Sequence, residues 1–238
     1  MSIVARRLTQ EADGMAGYMA RPEGGGPRPG VLMVHHAHGI TADYKLDAYR
    51  LAQQGFAVLV PSLFNLLGVP GTNHIGGGAE LQARHGDGEF LERMDQAWRH
   101  LTGPMEADPT RTAAIGHCMG GRLLIPFGAD HPQIRALVLY YPSVRDEPET
   151  PHRPRHAFRL ARTLRCASMV LCGGQDYIAT PAIQAPLWQS FLASGQRVEW
   201  HFFSDANHGF RHPDSDGFQP HYADLVWPLV TGFLARSV

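Results

Sequence analysis

The run Gly116-His117-Cys118-Met119-Gly120-Gly121 carries a thiol in a setting suited to nucleophilic attack. An apolar stretch, Arg111 to His117, precedes it, and a helical pattern from about Met119 to Ala129 follows. A nucleophile on a sharp strand-to-helix turn projects alone above its sheet. Glycines on both sides leave room for the turn and for close packing of helix on strand. The helix N-terminus beneath favours the thiolate, which is the reactive form of cysteine. The amide of Met119, one residue on, is a natural oxyanion donor. Cys166 and Cys172 lack such a setting and read as buried core thiols.

A nucleophile of this kind needs a base, and the base needs an orienting carboxylate. On a strand-turn-helix elbow the chain order is nucleophile, acid, histidine. Gly173-Gly174-Gln175-Asp176 follows the apolar run Ala167 to Cys172, so Asp176 stands just past a strand end. Ala206-Asn207-His208-Gly209-Phe210 follows the run Val198 to Phe203 and places His208 in a loop past the last strand. Each interval holds about one helix-strand unit, so Cys118, Asp176 and His208 can converge. Asp205 is the nearest rival carboxylate, and a loop cap is its plainer role.

His35-His36-Ala37-His38-Gly39 ends the strand candidate Val31 to His36. A loop at this place supplies the second oxyanion donor of such sites, here the N–H of Ala37. His36, His38 and His117 are candidates for lining the substrate pocket, with plain packing and hydrogen bonding as the alternative. His36-x-His38 on a strand would also put two rings on one face, as a metal site requires. No HxxEH, HExxH or HxHxDH pattern completes such a site, and Asp43 falls in the next helix, so no metal is expected. No GxxxxGK[ST] and no GxGxxG after a first strand is present, which removes the nucleotide-binding readings.

The elements that must position these residues alternate. Strand candidates run Ile3 to Thr9, Met15 to Ala20, Val31 to His36, Phe56 to Val60, Arg111 to His117, Ile134 to Tyr141, Ala167 to Cys172 and Val198 to Phe203. Helical patterns cover Ala42 to Gln54, Glu80 to Leu101 (weakened by Gly86 and Gly88), Met119 to Ala129, Ala182 to Ala193 and Tyr222 to Ala235. Short, continuously apolar strands alternating with helices mean a mostly parallel sheet covered on both faces. The first two strands suit an antiparallel edge. The expected fold class is α/β, with about eight strands in one domain over residues 1–238. The carboxyl ends of the strands are where the chemistry should lie. Residues 143–166 interrupt the alternation and carry Arg153, Arg155, Arg159, Arg162 and Arg165 with no acid after Glu149. They read as a solvated helix and loop, or as a lid or anion-attracting rim.

The chain has 238 residues, 44% of them hydrophobic and 18% charged, enough for a full core and too little charge for disorder. With 21 basic and 22 acidic residues the formal net charge is −1, which favours neither nucleic acid nor an anionic membrane as partner. Lys45 is the only lysine. Met1 to Gln10 shows no apolar run after Arg6 and Arg7, so no secretory signal and no membrane span is expected. Three cysteines without CxxC spacing suit a reducing cytoplasm.

Taken together, GHCMGG at 116–121, GGQD at 173–176 and NHGF at 207–210 resemble the dienelactone hydrolase family of the α/β-hydrolase superfamily. VLMVHHAHG at 31–39, GFAVLVPSLF at 55–64 and ALVLYYP at 136–142 support the likeness, which covers about residues 14–235. The resemblance implies an eight-stranded α/β-hydrolase fold, a Cys-Asp-His triad and hydrolysis of a lactone or ester with no cofactor. Cys118, Asp176 and His208 match the triad, and Ala37 and Met119 the oxyanion donors. Two departures concern the substrate. The family's dienelactone enzymes carry a glutamate, which holds the resting thiol, at the place of His36. Their carboxylate-binding arginines are matched only loosely, by Arg84 and by Arg211 beside His212. The expected ligand is a small ester or lactone, and the protein is a monomer or homodimer. A general carboxylesterase or thioesterase of this fold, and a catalytically degenerate binding protein, remain alternatives.

Overall fold

The computed structural model describes residues 2–69 and 78–238. The strands are β1 (Ile3–Leu8), β2 (Gly17–Pro22), β3 (Arg28–Val34), β4 (Ala57–Pro61), β5 (Ala107–His117), β6 (Ala136–Tyr140), β7 (Ala167–Gln175) and β8 (Val198–Asn207). The helices are α1 (Gln10–Asp13), α2 (Ala42–Gln53), α3 (Leu63–Leu66), α4 (Gly78–Arg84), α5 (Asp87–Thr102), α6 (Met119–Asp130), α7 (Ala157–Ala161), α8 (Pro181–Leu192) and α9 (Pro220–Ala235). All eight strands join one sheet in the order β1-β2-β4-β3-β5-β6-β7-β8. The β1–β2 and β2–β4 pairings are antiparallel, and every later pairing is parallel. This is the mostly parallel sheet with an antiparallel edge that the alternation predicts, and its eight strands are those the resemblance implies.

Side-chain alternation splits the apolar strands between two cores. Leu32 and Val34 of β3, with Ala57 and Leu59 of β4, face Phe90, Met94, Leu123, Phe127 and Phe191 on α5, α6 and α8. Val31 and Met33, with Val58 and Val60, face Tyr44, Ala48 and Leu51 of α2 and Val226, Val230 and Phe233 of α9. The sheet is therefore buried on both faces. That is why its central strands read as unbroken apolar runs rather than as alternating ones.

The structure corrects several element boundaries. The helix predicted from Glu80 to Leu101 is two helices, α4 and α5, because Gly86 is extended (φ −77°, ψ 162°) and its N–H donates to the Glu89 carboxylate at 3.1 Å. β2 begins at Gly17 rather than Met15. β7 and β8 run past their apolar segments to Gln175 and Asn207, where the ladder continues through small and polar residues. Residues 65–78 read in the sequence as a loop that shapes the pocket, and 70–77 of them lie outside the described residues. In residues 143–166 only α7 is helical. Arg153, Arg155 and Arg159 there pair with Glu147, Asp130 and Glu149.

Candidate active site

Cys118 follows β5 directly and has φ 51° and ψ −110°, a backbone conformation that costs a residue with a Cβ about 1–3 kcal/mol. The surroundings hold it there. Its N–H donates to Tyr140 O at 3.0 Å, and its C=O accepts from Arg122 N at 3.0 Å and Ser143 N at 3.1 Å. The flanking glycines are needed for close approach. A Cβ on Gly116 would lie 2.6 Å from the backbone of Gly120, and one on Gly120 would lie 2.3 Å from Val34 O. Helix α6 thus sits on β3 and β5 at backbone contact, with its first amide, Met119 N–H, directed at the Cys118 sulfur.

The other two residues arrive through strand register. Gln175 and Asn207 are ladder partners on β7 and β8, so Asp176 and His208, each one residue further, emerge side by side. His208 Nδ1 lies 2.9 Å from Asp176 Oδ2. Asp176 Oδ1 accepts from Ile178 N at 2.8 Å and Ala179 N at 2.9 Å, which fixes the carboxylate. Its side chain is fully buried, and His208 is 8% exposed. His208 Nε2 is buried without a hydrogen bond of ordinary geometry. Cys118 is the group whose charge acts on the ring from beyond Asp176.

Electrostatics favour a thiolate-imidazolium pair. Burial opposes both charges. For Cys118 the neighbouring His208, the Ser143 hydroxyl and the Met119 amide outweigh burial and hold the thiol below its ordinary pKa. For His208 the Asp176 hydrogen bond and Cys118 outweigh burial and push the imidazolium up to about 10. The other thiols are opposite in character: burial pushes Cys166 up to about 11 and Cys172 higher still. All three cysteines are free.

Half-buried Cys118 opens on a cavity of about 380 Å³, in the range that takes small ligands. Ala37, His38, Gly78, Gln82, Ala83, Ser143, Arg145, Arg153 and Ile178 complete its wall. The predicted histidines separate here. His38 lines the cavity, whereas His36 and His117 do not. His117 is 1% exposed and stacks on Tyr140 at 4.4 Å, and burial holds it neutral. His36 packs edge-on against His212 at 4.2 Å, and burial together with the neighbouring histidines pushes its pKa down to about 2. Since β3 ends at Val34, His36 and His38 sit in a turn rather than on a strand. Among the described residues no group of three His, Cys, Asp or Glu side chains is placed to hold a metal ion.

The loosely matched arginines lie elsewhere. Arg211 is buried, bound to Asp47 and 3.5 Å from Asp43, with its guanidinium over the Tyr140 ring. Arg84 is exposed and pairs with Glu80. Arg145 and Arg153 stand on the cavity wall instead, both beside Glu147 at 3.5 and 2.9 Å. Sequence reasoning missed Ser143 and Tyr177. The signal for Ser143 was its place just past β6, at the carboxyl edge of the sheet. Tyr177 is 77% exposed with its ring 5.9 Å from His208, and it follows Asp176 directly.

Known proteins resemble this chain in sequence and in fold. The model of the "Dienelactone hydrolase family" matches residues 15–238, nearly the whole chain. The chain belongs to the dienelactone hydrolase family. Among curated relatives named "Putative carboxymethylenebutenolidase", one from Salmonella typhimurium is 25% identical over 96% of this chain and 85% of its own length. One from Escherichia coli K12 is 26% identical over 85% of this chain and 75% of its own. The crystal structure of a "Putative Dienelactone Hydrolase" from Klebsiella pneumoniae superposes with TM-score 0.87 at 25% identity, covering 99% of both chains. This member of the family is a dienelactone hydrolase-like hydrolase.

Proposed function

We propose that the protein hydrolyses a small lactone or carboxylic ester through a Cys118-His208-Asp176 triad and a thioester acyl-enzyme. The observation that carries this reading is the His208–Asp176 bond of 2.9 Å beside a strained, half-buried thiol that opens on a cavity. The Cys118 thiolate attacks the carbonyl carbon. The oxyanion that forms accepts the N–H groups of Ala37 and Met119. Collapse of the tetrahedral adduct breaks the ester C–O bond, and His208 Nε2–H protonates the departing alkoxide, which stays tethered in a lactone. His208, now neutral, takes a proton from water as the water attacks the thioester. The second collapse expels the Cys118 thiolate, which pairs again with imidazolium, and releases the acid.

His38, Ser143 and Ile178 form the wall a substrate meets, with Arg145 and Arg153 at its rim. His36 and His117 act at most from behind this wall. Three free thiols, one of them with its pKa held below the ordinary value, belong in reducing surroundings, so we place the enzyme in the cytoplasm. Among the described residues no helix is long and apolar enough to cross a membrane.

Thiol alkylation read by mass at each cysteine across pH tests this reading. Because the Cys118 pKa is lowered, its labelling should stay fast at pH values where an ordinary thiol has slowed, and fade only as pH drops through that lowered value. Cys166 and Cys172 should stay unlabelled at neutral pH. In His208→Ala the imidazolium is gone, so the Cys118 profile should move to higher pH. A Cys118 no faster than an ordinary exposed thiol in both proteins would contradict the ion pair.

A further inference from the structure

The turn that carries the Ala37 amide is tied, through buried polar groups, to the loop that carries His208. Asp43 and Tyr44 lie in the first turn of α2, and His212 lies in the loop after His208. His212 Nδ1 is 2.5 Å from Asp43 Oδ2, and the Thr41 hydroxyl donates to the same carboxylate. His212 Nε2 is 3.2 Å from the Tyr44 hydroxyl. That hydroxyl accepts the N–H of His36 at 2.8 Å. Tyr44 is fully buried, and His212 is 1% exposed.

One assignment of protons gives every group in the chain a partner. The Tyr44 oxygen accepts from His36 N–H, and its own hydrogen donates to His212 Nε2. His212 is then neutral, with Nδ1–H donating to the Asp43 carboxylate. The surroundings agree. Burial opposes charge on His212 more strongly than Asp43 favours it, and its pKa lies below the ordinary value. Arg211, which pairs with Asp47 and stands 3.5 Å from Asp43, adds a fixed positive charge next to the ring.

His36 is the anchor at the other end. Its C=O accepts from Gly39 N at 3.2 Å and from His35 Nδ1 at 2.6 Å. Its ring Nδ1 accepts from His38 N at 3.2 Å. A trans peptide is planar, so a fixed His36 C=O fixes the Ala37 N–H in the opposite direction. The Tyr44 bond fixes the peptide plane before it. Apart from His38, the groups that set the direction of the Ala37 amide, namely Tyr44, His35 and Gly39, do not line the cavity.

We propose that Tyr44 and His212 are positioning residues for the Ala37 oxyanion donor, coupling its turn to the His208 loop through the buried chain Asp43–His212–Tyr44–His36. This rests on the triad reading above. Tyr44→Phe keeps the ring, which packs edge-on against His36 and His117 at 5.4 and 5.1 Å, and removes only the hydroxyl. Misplacing a donor by about 1 Å costs roughly 10²-fold in rate.

Ester acylation needs the oxyanion donors, and alkylation of a thiolate does not, so the two reactions separate this role from general damage. For Tyr44→Phe we expect kcat on an aryl ester to fall about 10- to 100-fold. KM and the rate of Cys118 alkylation by iodoacetamide should match the parent. Asp43→Asn, which keeps the side-chain volume, should lower kcat in the same direction but less, again with alkylation unchanged, and it serves if Tyr44→Phe does not fold. Unchanged kcat in the folded variants overturns the proposal, and so does an equal fall in kcat and alkylation. A Cys118→Ala control distinguishes failure of the triad reading: if it hydrolyses the ester as well as the parent, that reading fails, and this one with it.

Discussion

Cys118→Ala is expected to lower kcat/KM for a lactone or aryl ester by at least about 10³-fold, a loss near 4 kcal/mol of transition-state stabilisation. The reason is chemical rather than structural. No other free thiol competes: burial pushes Cys166 up to about 11, and Cys172 higher still. Asp176→Asn should act through His208 and cost roughly 10²- to 10⁴-fold. An amide can present its NH2 to Nδ1 and leave the proton on Nε2, so the neutral ring would have no lone pair facing the thiol. Cys118→Ala should keep the parent's Tm to within a few degrees, whereas Asp176→Asn, at a side chain that is fully buried, should lose more. Steady-state kinetics with calorimetry on both variants checks these statements. Near-parental kcat/KM in Cys118→Ala would remove the nucleophile from the account.

Gly120→Ala should have the second-largest effect, on stability and activity together. The added methyl would lie 2.3 Å from Val34 O and 2.8 Å from His35 O. Both are backbone atoms of the β3 end and its turn, not the tips of flexible side chains. Helix α6 must therefore move off the sheet, at a cost of about 3 kcal/mol or more. For a chain of this length that corresponds to a fall in Tm of roughly 6–12 °C. The displacement also carries the Met119 amide away from the oxyanion and disturbs the Ala37 turn, so residual folded protein should be slow. Gly88→Ala, where no atom lies within 4 Å of the new methyl, is the matched control and should leave Tm nearly unchanged.

The legible part of this molecule is local. Unbroken apolar runs announced strands buried on both faces, and the glycines around Cys118 announced a turn at backbone contact. Asp176 and His208 were readable because each stands just past an apolar run, at the edge where loops gather. The intervals allow them to converge, but the side-by-side pairing itself depends on the Gln175–Asn207 register, in a stretch of ladder that has no apolar signature. The histidines were ambiguous for a related reason. His36 and His38 differ by two positions, yet one is packed against His212 and the other lines the cavity. Asp43 finds His212 across 169 residues, and Arg211 finds Asp47 across 164. Pairings over such separations follow from how α2 docks on the sheet, which no spacing rule contains. The break at Gly86 shows the opposite case: the weakening glycine was visible, and the extended backbone it permits ended the helix.

The central claim is a covalent acyl group on Cys118, and mass spectrometry of protein quenched in acid during turnover of a slow aryl ester tests it most directly. The account predicts an adduct of the acyl mass on the peptide carrying Cys118, removed by hydroxylamine as a thioester is. The adduct should be absent from Cys118→Ala. Turnover with no adduct on Cys118 at any quench time, matched by equal turnover in Cys118→Ala, would contradict it.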